Sequence, residues 1–201
     1  MFRHGRRGGF ESEALINAVI DNIGLSKGMT VADLGSGAGR FTLGIASAVG
    51  PDGKVYAIDV DEGALRELQG RARSLGINNV ETIRADLTQG IPLPPSSIDV
   101  AFMANVLHGF VHSGSGEAVV KEVERVLRSG GLFIVVDFIK SLTAFGPPPW
   151  IRVSPEEVVD LVAKASTLLR LEERRDDIGF SHYLLKFRKA FSPGLQTKGS
   201  T

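Results

Sequence analysis

The sequence contains no cysteine in its 201 residues. That absence excludes disulfides, thiolate metal sites and a cysteine nucleophile together, and it fits a reducing, cytoplasmic setting. An excess of charge of either sign is also missing: 23 Lys and Arg stand against 23 Asp and Glu, for a formal net charge of zero. A neutral chain projects no protein-wide field for gathering phosphate backbones or anionic lipid, so nucleic acid is not the expected bulk partner. No apolar run approaches the roughly 20 residues needed to cross a bilayer. The longest, LFIVV at 132–136, is broken by Asp137 before Phe138 and Ile139. The opening MFRHGRRGG leads into FESE rather than an apolar stretch, so no secretory signal is expected. Internal repeats and low-complexity blocks are absent, as is a Ser/Gly/Pro-rich linker near the middle. What remains, at 43% hydrophobic and 23% charged, has the composition of one compact domain with a substantial core.

From Lys27 onward short β-branched runs alternate with helical stretches. The runs are TVADL (30–34), KVYAID (54–59), VETIR (80–84), IDVAFM (98–103) and LFIVVDF (132–138). Between them RFTLGIASAVG, EGALRELQGRARSLG and EAVVKEVERVL place apolar residues three or four apart. Strands that read as nearly continuous apolar runs and alternate with helices predict a parallel sheet covered on both faces, the doubly wound α/β class. Upstream, Leu15, Ile16, Val19, Ile20 and Ile23 recur at helical spacing before Gly24. Downstream, Ser154, Pro155 and Glu157 form a capping box with proline at the first helical position, which predicts a helix ending before Leu168. LRLEERR and HYLLKFR, separated by DDIGFS, predict an antiparallel hairpin on one edge of a seven-stranded, mostly parallel sheet. Residues 1–24 read as an arm plus helix with the material for a lid, 25–190 as the ligand-binding domain, and 191–201 as a tail.

The sharpest motif is VADLGSGAG at 31–39, where a strand delivers Asp33 and then a loop with Gly35, Gly37 and Gly39. Such a loop lets backbone approach a ligand and turns the following helix's N-terminal amides toward it. Counted from Gly35, the third glycine of a dinucleotide fingerprint is replaced by Arg40, so a nicotinamide enzyme is disfavoured. The next strand ends at Asp59, where a carboxylate can accept both hydroxyls of a ribose, and the third is followed by Ala85 and Asp86. A single strand-end aspartate is ordinarily a turn or cap residue. Three on the carboxyl edge of successive strands, beside a glycine loop, predict one adenosine-like ligand spanning that edge.

With VADLGSGAGRFT, GKVYAIDVDEGAL, ADLTQGIPLPPSSIDVAFMANVLH and EVERVLRSGGLFIVVDF in this order, the chain resembles the class I S-adenosylmethionine-dependent methyltransferases over residues 25–188. Within them it is most similar to the small ubiquinone/menaquinone-type (UbiE-like) enzymes. The resemblance implies S-adenosylmethionine as cofactor, with Asp33 and the backbone of Gly35, Ser36, Gly37 and Gly39 at its methionine end. Asp59 would take the ribose hydroxyls, Val60 one adenine face, and Asp86 the adenine amino group, with Ala85 and Leu87 beside the ring. Met103, Ala104 and Asn105 match the segment near the sulfonium, and LRSGG at 127–131 matches a helix-to-strand connector.

Methyl transfer needs little beyond alignment, with a base only where the acceptor must lose a proton. His108, on the segment leaving the fourth strand, is the candidate catalytic base. Its alternative is a packed or capping histidine. His112 is weaker, and His182 with Tyr183 would either line the site from the far side or simply pack. MANVLH stands where base-amino methyltransferases carry proline-proline-aromatic, and arsenic methylation needs the cysteines that are missing. Asp137 alone does not make a metal site, so none is assigned. The expected partner is a small, apolar or aromatic acceptor, bound by a monomer or homodimer with no membrane span. Two other readings stay open: an RNA or protein methyltransferase gripping its target with Arg3, Arg6 and Arg7, and a cofactor-binding module without turnover.

Overall fold

A computed structural model describes residues 13–141, 146–179 and 181–191. The Arg3, Arg6 and Arg7 arm, His4 and nearly all of the expected tail lie outside the described residues. The elements follow the alternation in the sequence: α1 (Glu13–Ile23), β1 (Thr30–Leu34), α2 (Thr42–Val49), β2 (Lys54–Asp59), α3 (Glu62–Ser74), β3 (Val80–Arg84), β4 (Ile98–Ala104), α4 (Leu107–His112), α5 (Gly116–Val126), β5 (Leu127–Phe138), α6 (Pro155–Ala165), β6 (Leu169–Ile178) and β7 (His182–Lys189). They build one sheet in the order β3-β2-β1-β4-β5-β7-β6. The first five strands run parallel and β7 is antiparallel to both of its neighbours. Strand order reverses between β1 and β4, and in open α/β sheets ligands bind at the carboxyl ends beside such a switch point.

The two central strands explain why their sequences read as unbroken apolar runs. Met103 of β4 and Phe133 and Val135 of β5 pack into the cluster beneath α5 and α6, while Phe102, Ile134 and Val136 pack into the one beneath α1 and α2. A strand buried on both faces has no polar phase to show. The capping box of α6 forms as expected: Ser154 Oγ accepts from the Glu157 amide at 3.3 Å and Glu157 Oε2 from the Ser154 amide at 2.6 Å. Asp61 caps α3 in the same manner, accepting from the amides of Gly63 and Ala64.

Four features differ from the sequence reading or extend it. β5 begins at Leu127, because Leu127 pairs with Ile98; the LRSGG connector is therefore strand interrupted by a register shift, with Gly130 at φ 77° supplying the bend. β6 runs on through Asp176 and Asp177 to Ile178, absorbing an irregularity after Arg175. β7, last in the chain, is interior rather than peripheral, which its almost wholly buried side chains require; β6, charged and exposed, is the edge. Finally, α1 belongs to the core: Leu15, Val19 and Ile23 are buried against the α2 face of the sheet.

Candidate active site

β1 ends in the sequence that the loop needs. The amides of Gly35 and Ser36 both donate to the Ile58 carbonyl, at 2.8 and 3.2 Å, which ties the loop to the end of β2. Gly35 has φ 79°, and a Cβ there would sit 2.6 Å from Val106 Cγ2; at Gly39, φ 80°, it would sit 2.2 Å from Leu68 Cδ1. Both positions therefore demand glycine on conformational and on steric grounds. Gly37 is different: its Cβ direction opens onto space with no atom within 4 Å.

Three carboxylates line this edge, each in its own environment. Asp33 is only 3% exposed and accepts from Thr42 Oγ1 at 2.6 Å. Burial pushes its carboxyl up to about 7, Thr42 partly opposes this, and the charge of Asp59 adds to it. Asp59 accepts from the Gly37 amide at 2.7 Å with one oxygen and from the Asp61 amide at 2.8 Å with the other. Each oxygen keeps a further lone pair for a ligand hydroxyl. Asp86 caps the 3₁₀ turn Leu87–Gln89; the Thr88 hydroxyl and then the Thr88 amide hold its carboxyl below the usual carboxylate range. The Ala85 amide donates to the Asp59 carbonyl at 3.0 Å, so these two segments are adjacent. Val60 is exposed, Ala85 half-buried and Leu87 buried.

At the end of β4 the backbone turns sharply. Asn105 adopts φ 59°, donates its amide to the Val136 carbonyl at 2.8 Å, and is followed by Val106 against Gly35. Two buried polar atoms beside the glycine loop have no hydrogen-bond partner among the described residues: Ser36 Oγ and Asn105 Oδ1. Orphans of this kind are rare in native proteins and mark where a ligand group completes the network. Together with the raised Asp33, which a cation would relieve, and the open side of Gly37, they fit a ligand carrying an ammonium group and hydrogen-bonding groups.

His108 lies in the first turn of α4, its ring 15% exposed, with Nδ1 3.0 Å from both oxygens of Asp137 at the end of β5. The carboxylate partner was not anticipated from sequence. Its one signal is an acid inside an otherwise apolar strand. His112 is tied down, its Nε2 donating to the Ile151 carbonyl at 2.7 Å. His182 and Tyr183 are both fully buried, and His182 Nε2 is a third buried polar atom with no hydrogen-bond partner among the described residues. The His182 ring lies 4.2 Å from that of Phe138, and burial lowers its pKa to about 4, so it is neutral; the Tyr183 hydroxyl donates to the Val153 carbonyl. Arg152, unremarked in the sequence, is buried and donates to the carbonyls of Ile139, Ser141 and Pro147, holding the loop that enters α6. Two surface depressions of about 480 and 430 Å³ lie at the opposite, amino edge of the sheet around Lys54 and Asn78. Unlike the carboxyl edge, they contain no orphaned buried side chain among the described residues.

The fold and this edge define a nucleoside-binding α/β enzyme of the doubly wound class. Comparison with known proteins narrows it. The methyltransferase-domain family model matches residues 25–170. A solved S-adenosylmethionine-dependent methyltransferase from Aquifex aeolicus superposes with a TM-score of 0.79 at 30% identity, covering 87% of this chain and 89% of that one. A ubiquinone/menaquinone biosynthesis C-methyltransferase UbiE from Escherichia fergusonii is 32% identical over 124 residues, 61% of this chain and 48% of that protein. A demethylmenaquinone methyltransferase from Geobacillus stearothermophilus is 29% identical over 119 residues, 59% of this chain and 49% of that protein. The chain thus spans about half the length of the curated relatives it matches. It belongs to the S-adenosylmethionine-dependent methyltransferases.

Proposed function

We propose that the chain transfers the methyl group of S-adenosylmethionine to a small apolar or aromatic acceptor, a reduced quinone being the best supported class. The observation that carries the reading is the coincidence, on one edge, of a raised Asp33, the glycine loop and the two orphaned polar atoms of Ser36 and Asn105. The names of the UbiE and demethylmenaquinone relatives support the acceptor class. The cysteine-free composition supports a cytoplasmic setting, and no described helix is long and apolar enough to cross a membrane.

When bound, the cofactor supplies a methyl group already activated by its sulfonium charge. Asp33 would neutralise the ammonium of its amino-acid tail, with Gly35, Ser36, Gly37 and Gly39 presenting backbone and hydroxyl to that end. Asp59 would accept from the ribose hydroxyls. Asp86 would accept from the adenine amino group, and Val60, Ala85 and Leu87 would flank the ring. Ala104 and Asn105 would border the reacting centre, and His108, three residues further on, would take a proton from the acceptor. Calorimetry with S-adenosylmethionine and S-adenosylhomocysteine tests this: binding is expected, and none at millimolar ligand removes the proposal. Transfer of labelled methyl to naphthohydroquinone tests the acceptor.

A further inference from the structure

Asp137 is completely enclosed, at 0% exposure, in a strand whose other buried side chains are apolar. A carboxylate in that position is costly unless donors surround it. Here they do, and most belong to one residue. His108 Nδ1 stands 3.0 Å from both oxygens and the His108 amide donates to Oδ2 at 3.3 Å, while the Phe138 amide donates to Oδ1 at 2.8 Å. Asp137 thus grips His108 by backbone and ring at once. Arg152, His182 and Tyr183 also lie within reach of the Asp137 charge, while Arg152 Nε and Nη1 donate to carbonyls, Tyr183 donates to Val153, and His182 Nδ1 is hydrogen-bonded to Ser181 Oγ.

Because a carboxylate only accepts, Nδ1 of the neutral ring carries the hydrogen. Nε2 is left with a free lone pair and has no hydrogen-bond partner among the described residues. We propose that Asp137 is the positioning residue that locks His108 in this tautomer, and that the acceptor carries an ionisable hydroxyl. The inference rests on the methyltransferase reading above. In the step concerned, the acceptor O–H bond breaks with its electron pair staying on oxygen, and the proton bonds to Nε2. The imidazolium, stabilised by Asp137, later returns it to water. Nitrogen or thioether acceptors that carry no such proton would leave the pair without a task.

With four histidines in the chain, nitrogen NMR of labelled protein resolves His108. The wild type is expected to show the Nδ1–H tautomer. In Asp137→Asn the carboxamide can donate to Nδ1, so the ring is expected to switch to Nε2–H. The same variant should lose about 10²- to 10⁴-fold in kcat on naphthohydroquinone with KM changed less than about threefold. His108→Asn should match that loss, and the double variant should lose no more than either single one. S-adenosylhomocysteine affinity, measured on the same samples, should stay within about threefold in all of them. An Nε2–H tautomer in the wild type overturns the proposal without recourse to any variant, as does an Asp137→Asn enzyme with wild-type kcat. A wild type that methylates amines but no hydroxylated acceptor overturns the acceptor class. Failure of the wild type to bind S-adenosylhomocysteine would instead strike the cofactor reading, because the tautomer is read without ligand or activity.

Discussion

Replacing Asp33 by Asn should stabilise the protein and weaken its grip on the cofactor, and the stabilisation should depend on pH. Folding raises this carboxyl from 3.8 to about 7. Between those values the folded chain keeps a proton that the unfolded chain has released, so stability falls as pH rises and levels off above about 7. At about 1.4 kcal/mol per pH unit, the ionisable group costs roughly 4 kcal/mol at pH 8, and about 3 kcal/mol of that accrues above pH 5. Asn keeps an acceptor for Thr42 Oγ1 and removes the titration. Whatever offset its amide introduces is independent of pH, so the quantity to follow is the change in the variant's advantage between the two pH values. Wild type alone would mislead. His182, lowered to about 4 from 6.5, gains the folded state stability as pH rises over much of the same window and masks the Asp33 slope. Urea denaturation of both proteins at pH 5 and pH 8 should show the advantage of Asp33→Asn growing by about 3 kcal/mol, or by about 5–10 °C in Tm for a chain of this size. A constant difference across that range would refute the reasoning. The same variant should bind S-adenosylhomocysteine at least about tenfold more weakly at pH 8, having lost the partner of its ammonium.

Gly39→Ala should cost about 1–3 kcal/mol and sharply reduce cofactor affinity, since φ 80° and Leu68 Cδ1 at 2.2 Å both oppose a methyl group; denaturation and calorimetry check the two effects. At Asn105, φ 59° predicts that Ala costs about 1–2 kcal/mol where Gly costs little, while both should weaken S-adenosylhomocysteine binding through the lost Oδ1. Arg125 donates to the Ile91 and Leu93 carbonyls and to Glu122, so Arg125→Met should destabilise by about 2 kcal/mol and loosen the segment before β4, visible as faster exchange of the Gly90, Ile91 and Leu93 amides.

That the glycine loop and the strand-end aspartates share one edge was legible in the sequence because the signals are local. A strand, three glycines and an aspartate lie within nine residues of 31–39, and Asp59 and Asp86 each follow their own strand. The capping box of α6 was legible for the same reason. What escaped is pairing at long range. Asp137 and His108 meet across 29 residues, and only the parallel register of β4 with β5 brings them together. His182 and Tyr183 illustrate the converse: a strand rich in polar and aromatic residues reads as an edge, yet β7 inserts between β5 and β6 and turns them inward. The short α4 left no periodicity to detect, having only six residues.

The most direct test is a crystal structure of the complex with S-adenosylhomocysteine. The account predicts the nucleoside lying from Asp59 to Asp86, with the ammonium at Asp33 and Asn105 Oδ1 satisfied. Ligand seated instead in the amino-edge depressions beside Lys54 and Asn78, with Asp33 and Gly37 untouched, would contradict it.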